Sequence, residues 1–411
     1  MAYRMAQERW WPWQNVNEFK LRVSQGTAGN RPSFADQFET YTVSGNGSIA
    51  KGTLGNRFLK PETSNETEVG LDVIVDNKYS LQLSYASVKS TDQLLQIPLA
   101  GAFGFTTQWQ NAGTVVGNTM EATIEAQLYR KGTTSWRAGL TVDRSRNHIS
   151  EFNSSCFRTG ITYRCAGEDL TTMYGTSFLR NPSDLPTAML PAANQFAIND
   201  DGLLVAVGPG GKYTDAKWGT NILVNGTTYP WGMPISLRDA TGLNSIVKIG
   251  AGNPDLHYGI TNNIDWRGLR FYGLLDTQLG GNAYNGTKQR MYQFQRSKDV
   301  DQVGKADGDK KPIDYYVNLY NGNTTTDWFV ENGSYMKIRE VSVQYQIPKR
   351  LFSRIPGTSA LAASVSLIGR NLYTWTTYSG YDPEVGTVNQ RVDRNDYPQY
   401  RTFTAVLQIQ F

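Results

Sequence analysis

The sequence is poor in several features that would simplify its classification. Its 411 residues contain two cysteines, Cys156 and Cys165, and two histidines, His148 and His257. Neither histidine has a cysteine or carboxylate cluster at metal-ligand spacing, so no metal site is expected. No apolar run approaches the roughly 20 residues that a membrane-crossing helix needs, which excludes a helical membrane protein. Forty Lys and Arg against 36 Asp and Glu leave a formal charge of only +4, and the basic residues are scattered, so a nucleic-acid partner is not expected. Hydrophobic residues reach 39%, under the roughly 45–50% of ordinary globular domains.

Catalytic signatures are equally scarce. The stretch "GPGGK" at 208–212 lacks the spacing and the following helix of a phosphate loop. The acidic "KDVDQVGKADGDKKP" misses the register of a calcium loop. No Ser, Cys or carboxylate pair stands in a nucleophilic or acid–base context, so neither an enzyme nor a cofactor is expected. The opening "MAYRMAQERWWPWQN" carries no charged-then-apolar export signal, so if the protein is exported the chain is expected to be part of a longer precursor.

What is abundant is two-residue alternation. In "EVGLDVIVD", Val69, Leu71, Val73 and Val75 share one face; in "KYSLQLSYAS", Tyr79, Leu81, Leu83 and Tyr85 do. The segments "EFKLRVSQG", "EATIEAQLY", "WRAGLTVDR", "HYGITNNIDW", "LRFYGLLDTQLGG", "REVSVQYQIP", "LAASVSLIG" and "FTAVLQIQF" repeat the pattern. About ten or eleven strands result, each near the 9–11 residues that cross a bilayer at a tilt. Tight turns such as 76–78 and 267–268 separate some of them, and long Gly-, Asn- and Thr-rich connections, 26–63, 92–116, 150–255, 281–333 and 371–398, separate others. Soluble domains rarely tolerate several such loops, whereas outer-membrane barrels have long outward loops and short periplasmic turns. Polar residues in mid-strand suit a water-filled lumen, and Tyr and Trp near strand ends suit an aromatic girdle. The expected fold is therefore all-β, an antiparallel transmembrane β-barrel with 10–12 strands present, and a soluble β-protein is the alternative.

The stretch "FLKPETSNETEVGLDV" resembles the LKPE-then-strand signature of SusC/RagA-type TonB-dependent outer-membrane transporters. In order, "NPDLHYGITNNIDWRGLRFYGLLDTQLGGNAYN", "VENGSYMKIREVSVQYQIP", "LIGRNLYTWTTYSGYDPEVG" and "YPQYRTFTAVLQIQF" resemble it too. The resemblance implies that residues 1–411 are the C-terminal half of a 22-stranded barrel, with signal peptide, TonB box and plug domain lying outside this chain. It also implies a place in the cell outer membrane and active uptake of a bulky nutrient such as a glycan or oligopeptide. The partners it implies are the TonB–ExbB–ExbD complex and a SusD-like lipoprotein lid. A barrel-anchored surface binding protein or adhesin without transport is the alternative.

Individual residues complete the expectations. Trp218, Tyr229, Trp231, Tyr378 and Tyr381 lie in long connections, where flat rings beside polar groups either stack on substrate or pack the loops. "WWPW", Trp10 to Trp13, reads as interfacial anchoring. Cys156 and Cys165 would close a small disulfide hairpin in an oxidising compartment and stay thiols in the cytosol. Phe403, Leu407, Ile409 and Phe411 share the lipid face of the final strand, and the terminal Phe resembles the signal by which the barrel assembly machinery recognises outer-membrane barrels.

Overall fold

The computed structural model describes residues 1–410 other than 240, 349, 351–361, 388 and 389. Among the described residues eleven antiparallel strands form one sheet, each next to its neighbour in the sheet's sequence order. They are β1 (Ala2–Arg4), β2 (Val16–Asn30), β3 (Glu62–Val75), β4 (Tyr79–Thr91), β5 (Thr114–Lys131), β6 (Thr134–Glu151), β7 (Leu256–Trp266), β8 (Leu269–Leu279), β9 (Tyr335–Ile347), β10 (Ala362–Thr376) and β11 (Thr402–Gln410). Among the described residues no helix is long and apolar enough to cross a membrane.

The register explains the architecture. One continuous row crosses nine strands as Phe19, Val73, Leu81, Ile124, Leu140, Ile260, Leu275, Ile338 and Tyr373, all apolar or aromatic. The adjacent row, one residue along each strand, runs Lys20, Asp72, Gln82, Thr123, Thr141, Gly259, Asp276, Lys337 and Thr374. A shift of one residue exchanges the two faces, so each pairing is held in place by the mismatch it would otherwise create. On the apolar face Val69 is 48% exposed, Leu367 62% and Leu407 63%. A contiguous apolar surface of that extent is not stable in water and is matched by lipid tails.

Aromatic residues mark the ends of this band. At the short-turn end stand Tyr79, Tyr129, Trp136, Trp266 and Tyr345, with Trp11 5.1 Å from the Phe19 ring and 5.0 Å from Trp13. The WWPW segment thus sits where interfacial rings are favourable. The turn between β7 and β8 places Arg267 at φ 49° and Gly268 at φ 90°, the double positive φ of a tight hairpin whose twist matches the strands.

The connections are more structured than the sequence suggests. β2 runs to Asn30 and β10 to Thr376, so the connections begin later than 26 and 371. In β10 the alternation is interrupted where Asn371 takes φ 52°, and the ladder resumes at Tyr373. The connection after β8 contains two short helices, α1 (Gly286–Gln293) and α2 (Ile313–Tyr320), where the sequence pattern shows only a long polar connection. The buried apolar clusters lie in the connections after β6 and β8 rather than on the sheet: Phe178, Leu203, Tyr292, Tyr315, Leu319 and Phe329 form part of one, and Leu179, Phe196, Leu204, Val224 and Ile235 part of another. The long connections therefore fold as a layer with its own cores at one end of the sheet.

Candidate functional site: a charge network on the polar face

On the polar face the charged residues are collected into networks. Near β2 and β3, Lys20 Nζ lies 2.5 Å from Asp72, and Arg22 reaches Asp72 at 3.1 Å and Glu68 at 3.4 Å. A second network crosses β6 to β9 at the loop end of the sheet. His257 on β7 places Nδ1 2.7 Å from Asp143 on β6 and Nε2 2.7 Å from Asp276 on β8. That geometry suits the imidazolium, which has an N–H on each side.

From Asp276 the network passes to β9. Arg339 Nε donates to Asp276 Oδ2 at 3.0 Å, and its two terminal nitrogens bind both oxygens of Glu384 at 2.8 Å each. Arg339 is the residue left over by the register shift between Ile338 and Glu340, and such bulges re-aim a side chain. Lys337, 1% exposed, donates to Asp382 at 2.7 Å and to Glu384 at 2.5 Å. Burial acts to raise the Glu384 carboxyl, but hydrogen bonds from Arg339 and Lys337 outweigh it and hold the group at about 2. The bidentate Arg339–Glu384 pair is the strong form of such a contact.

Chemically this is a clamp. It fastens the connection between β10 and β11 to the sheet wall. The same connection is held further out, where Ser379 Oγ donates to Glu331 at 2.7 Å and Thr287 Oγ1 donates to Asp393 at 2.5 Å. Beside the clamp a cavity of about 310 Å³ is lined by Asp143, Ser145, Asn147, Asn253, His257, Gln278, Tyr335 and Arg391 among others. A second cavity, of about 290 Å³, lies in the loop layer between Asn285, Lys288, Lys298, Asp299, Ser379 and Tyr381. Among the described residues no group of His, Cys, Asp and Glu is arranged to hold a metal.

The five loop aromatics are dispersed. Tyr381 is 74% exposed and borders the loop-layer cavity. Trp231 is 1% exposed, Tyr229 7% and Tyr378 5%; those rings pack the loop layer and present no free face. Trp218 stands edge-on to Trp231 at 4.8 Å and to Tyr315 at 6.2 Å, again as packing. Burial, not chemistry, separates Tyr381 from the rest. Cys156 and Cys165 are joined in a disulfide at the base of a hairpin whose strands are Phe157–Thr159 and Thr162–Arg164. Phe403, Leu407 and Ile409 are exposed on β11, and Phe411 lies outside the described residues. The residues of the clamp carried no mark of function in the sequence, although Lys337, Arg339, Asp382 and Glu384 fall inside the motifs "MKIREV" and "YDPEVG".

Comparison with known proteins agrees with this architecture. The family model described as TonB dependent receptor-like, beta-barrel, matches residues 12–229. TonB-dependent receptor P3 of Formosa agariphila is 25% identical over 440 residues, covering 100% of this chain and 41% of the relative. TonB-dependent receptor P26 of the same organism is 24% identical, covering 97% and 40%. Among solved structures, the RagAB peptide transporter superposes with a TM-score of 0.68 at 17% identity, covering 100% of this chain and 43% of that one. The RagAB peptide importer in its open-open state gives 0.69 at 18% identity. The chain spans about two-fifths of the length of the curated relatives it matches.

Proposed function

This chain belongs to the TonB-dependent receptor-like β-barrel family, and on that premise we propose that it forms part of the wall of an outer-membrane importer for a bulky nutrient, a glycan or an oligopeptide. Residues 1–411 serve as the C-terminal part of the receptor's barrel. The observation that carries the reading is the paired rows across nine strands, apolar on one face and polar on the other, with the loop layer clamped over the polar side. A wall of this kind faces lipid on one side and a water-filled lumen on the other.

In the proposed mechanism no covalent bond is made or broken. The TonB–ExbB–ExbD complex supplies energy to the receptor, a SusD-like lipoprotein covers the loop layer, and substrate passes along the polar face. Tyr381 is the loop aromatic placed to meet substrate. The Cys156–Cys165 bond forms on exposure to the oxidising periplasm and cell surface. The β11 residues Phe403, Leu407 and Ile409, with Phe411, act as the signal read by the barrel assembly machinery.

Uptake of fluorescent oligopeptides and oligosaccharides by wild-type cells, by a deletion of the full gene and by a tonB deletion tests the proposal. Accumulation of one ligand class that both deletions abolish is the expected result. Surface binding that needs the gene but is never followed by uptake would replace importer with adhesin.

A further inference from the structure

Arg391 differs from the other cations around the network. Lys337, Arg339 and His257 each sit against carboxylates, yet no described carboxylate forms an ion pair with Arg391. Among the described residues two of its N–H groups have partners, the Gln278 side-chain oxygen at 3.1 Å and the Pro383 carbonyl at 2.8 Å. Its Nε is buried and has no partner among the described residues. Burying a guanidinium that forms no ion pair is costly, since only neutral dipoles hydrogen-bond it and the Glu384 carboxylate attracts it from beyond hydrogen-bond range. Burial accordingly pushes its pKa below the ordinary arginine value.

The fold nevertheless makes room for it. A Cβ added at Gly252 would stand 2.8 Å from Arg391 Cγ, and one at Gly333 3.3 Å from Nη2. The side chain thus lies in a glycine-lined slot and borders the 310 Å³ cavity with Ser145, Asn147, Asn253 and Gln278. Asp143, the carboxylate on that cavity's wall, is already taken by His257 at 2.7 Å. Among the described residues the cavity thus presents the Arg391 guanidinium, in no ion pair, beside the neutral hydrogen-bonding groups, with Arg144 also on its lining.

We infer that Arg391 is a substrate-recognition residue that takes an oxyanion, the carboxylate of a peptide terminus or of an acidic sugar, in the cavity it shares with Asn147, Asn253 and Gln278. The inference rests on the importer reading for its biological setting and names the charge class of the substrate. Arginine suits the role because its planar fork matches two oxygens at once.

Titration calorimetry on the purified full-length receptor in detergent, with two matched ligand pairs, tests this directly. The pairs are tetra-alanine as free acid and as amide, and trigalacturonic acid and its methyl ester. The acidic member of one pair is expected to bind about tenfold or more tightly than its neutral twin, the worth of a charge-assisted hydrogen bond. Which pair shows the preference identifies peptide or sugar as the source of the carboxylate. Arg391→Gln should remove the preference while Arg391→Lys retains part of it, both migrating as folded, heat-modifiable barrels. Equal binding of acid and neutral twins, a preference that survives Arg391→Gln, or no binding of any probe at millimolar concentration would overturn the inference. Binding requires no energy source, so an Arg391-dependent preference in the purified receptor combined with no uptake by cells would sink the importer reading and leave this one standing.

Discussion

Lys337 Nζ lies 2.5 Å from Glu384 Oε2 across 47 residues of chain, joining the buried end of β9 to the connection that follows β10. Lys337 is 1% exposed, so its charge has little recourse to water once Glu384 and Asp382 are gone. Removing one partner of a buried pair leaves the other uncompensated, which is costlier than the pair's net worth.

Lys337→Met leaves Glu384 paired with Arg339 and takes the cation from Asp382, so it should destabilise the clamp by about 1–3 kcal/mol while the barrel survives. Limited proteolysis of the full-length receptor is expected to cut residues 377–401 far faster in the variant, with heat-modifiable migration of the barrel unchanged. Equal cleavage rates would show that the connection is held by other contacts.

The clamp should also loosen in acid. Glu384 is held at about 2 against its ordinary 4.5, a depression caused by Arg339 and Lys337 against the opposing effect of burial. A carboxylate depressed on folding contributes its full stability above the unfolded value and loses it as pH falls through the folded one. Protease protection of 377–401 is expected to be flat above about pH 4.5 and to fall between there and pH 2. Glu384→Gln should be less protected at neutral pH and nearly insensitive over that window.

Placement of charge on the two faces should have unequal effects. Leu83 pairs with Leu71 and Ala122 on the apolar face, and its neighbour Gln82 pairs with Asp72 and Thr123 on the polar one. Leu83→Arg is expected to cost about 2–4 kcal/mol in urea unfolding from liposomes, and Gln82→Arg well under that. Similar losses from both would contradict the assignment of faces.

The disulfide closes a short loop, with nine residues of sequence separation. Entropy of closing so short a loop limits its contribution to roughly 2–3 kcal/mol, confined to the hairpin. Cys156→Ser is expected to leave barrel assembly intact. In the wild type, intact-mass analysis after alkylation without reductant should find neither cysteine modified; alkylation of both would mean that the thiols are free in the native protein.

Much of the fold was legible because its determinants are local. Leu81, Leu83 and Tyr85 alternate with Gln82 and Ser84, and that period alone gives the faces of β4 and hence of its neighbours. The helices were less visible. In α2, "IDYYVNLY" buries Tyr315, Tyr316, Leu319 and Tyr320 at helical spacing after Pro312, but eight residues are too few for the period to stand out. The clamp was invisible for a different reason. Asp143 and His257 are 114 residues apart and Arg339 and Glu384 45, so nothing local distinguishes them from solvated charges. Tyr381 and Tyr378 are three positions apart and equally aromatic; only the packing of the folded loop sends one to solvent and the other to Asp393.

The central claim, that one face of the sheet meets lipid and the other a water-filled lumen, is tested most directly by spin labels at Leu81, Gln82, Leu83 and Ser84 of the full-length receptor in liposomes. Relaxation by oxygen, which concentrates in lipid, and by a water-soluble nickel chelate is measured at each site. High oxygen and low nickel accessibility are expected at Leu81 and Leu83, with the reverse at Gln82 and Ser84. Accessibility that does not alternate, or that alternates in the opposite phase, would contradict it.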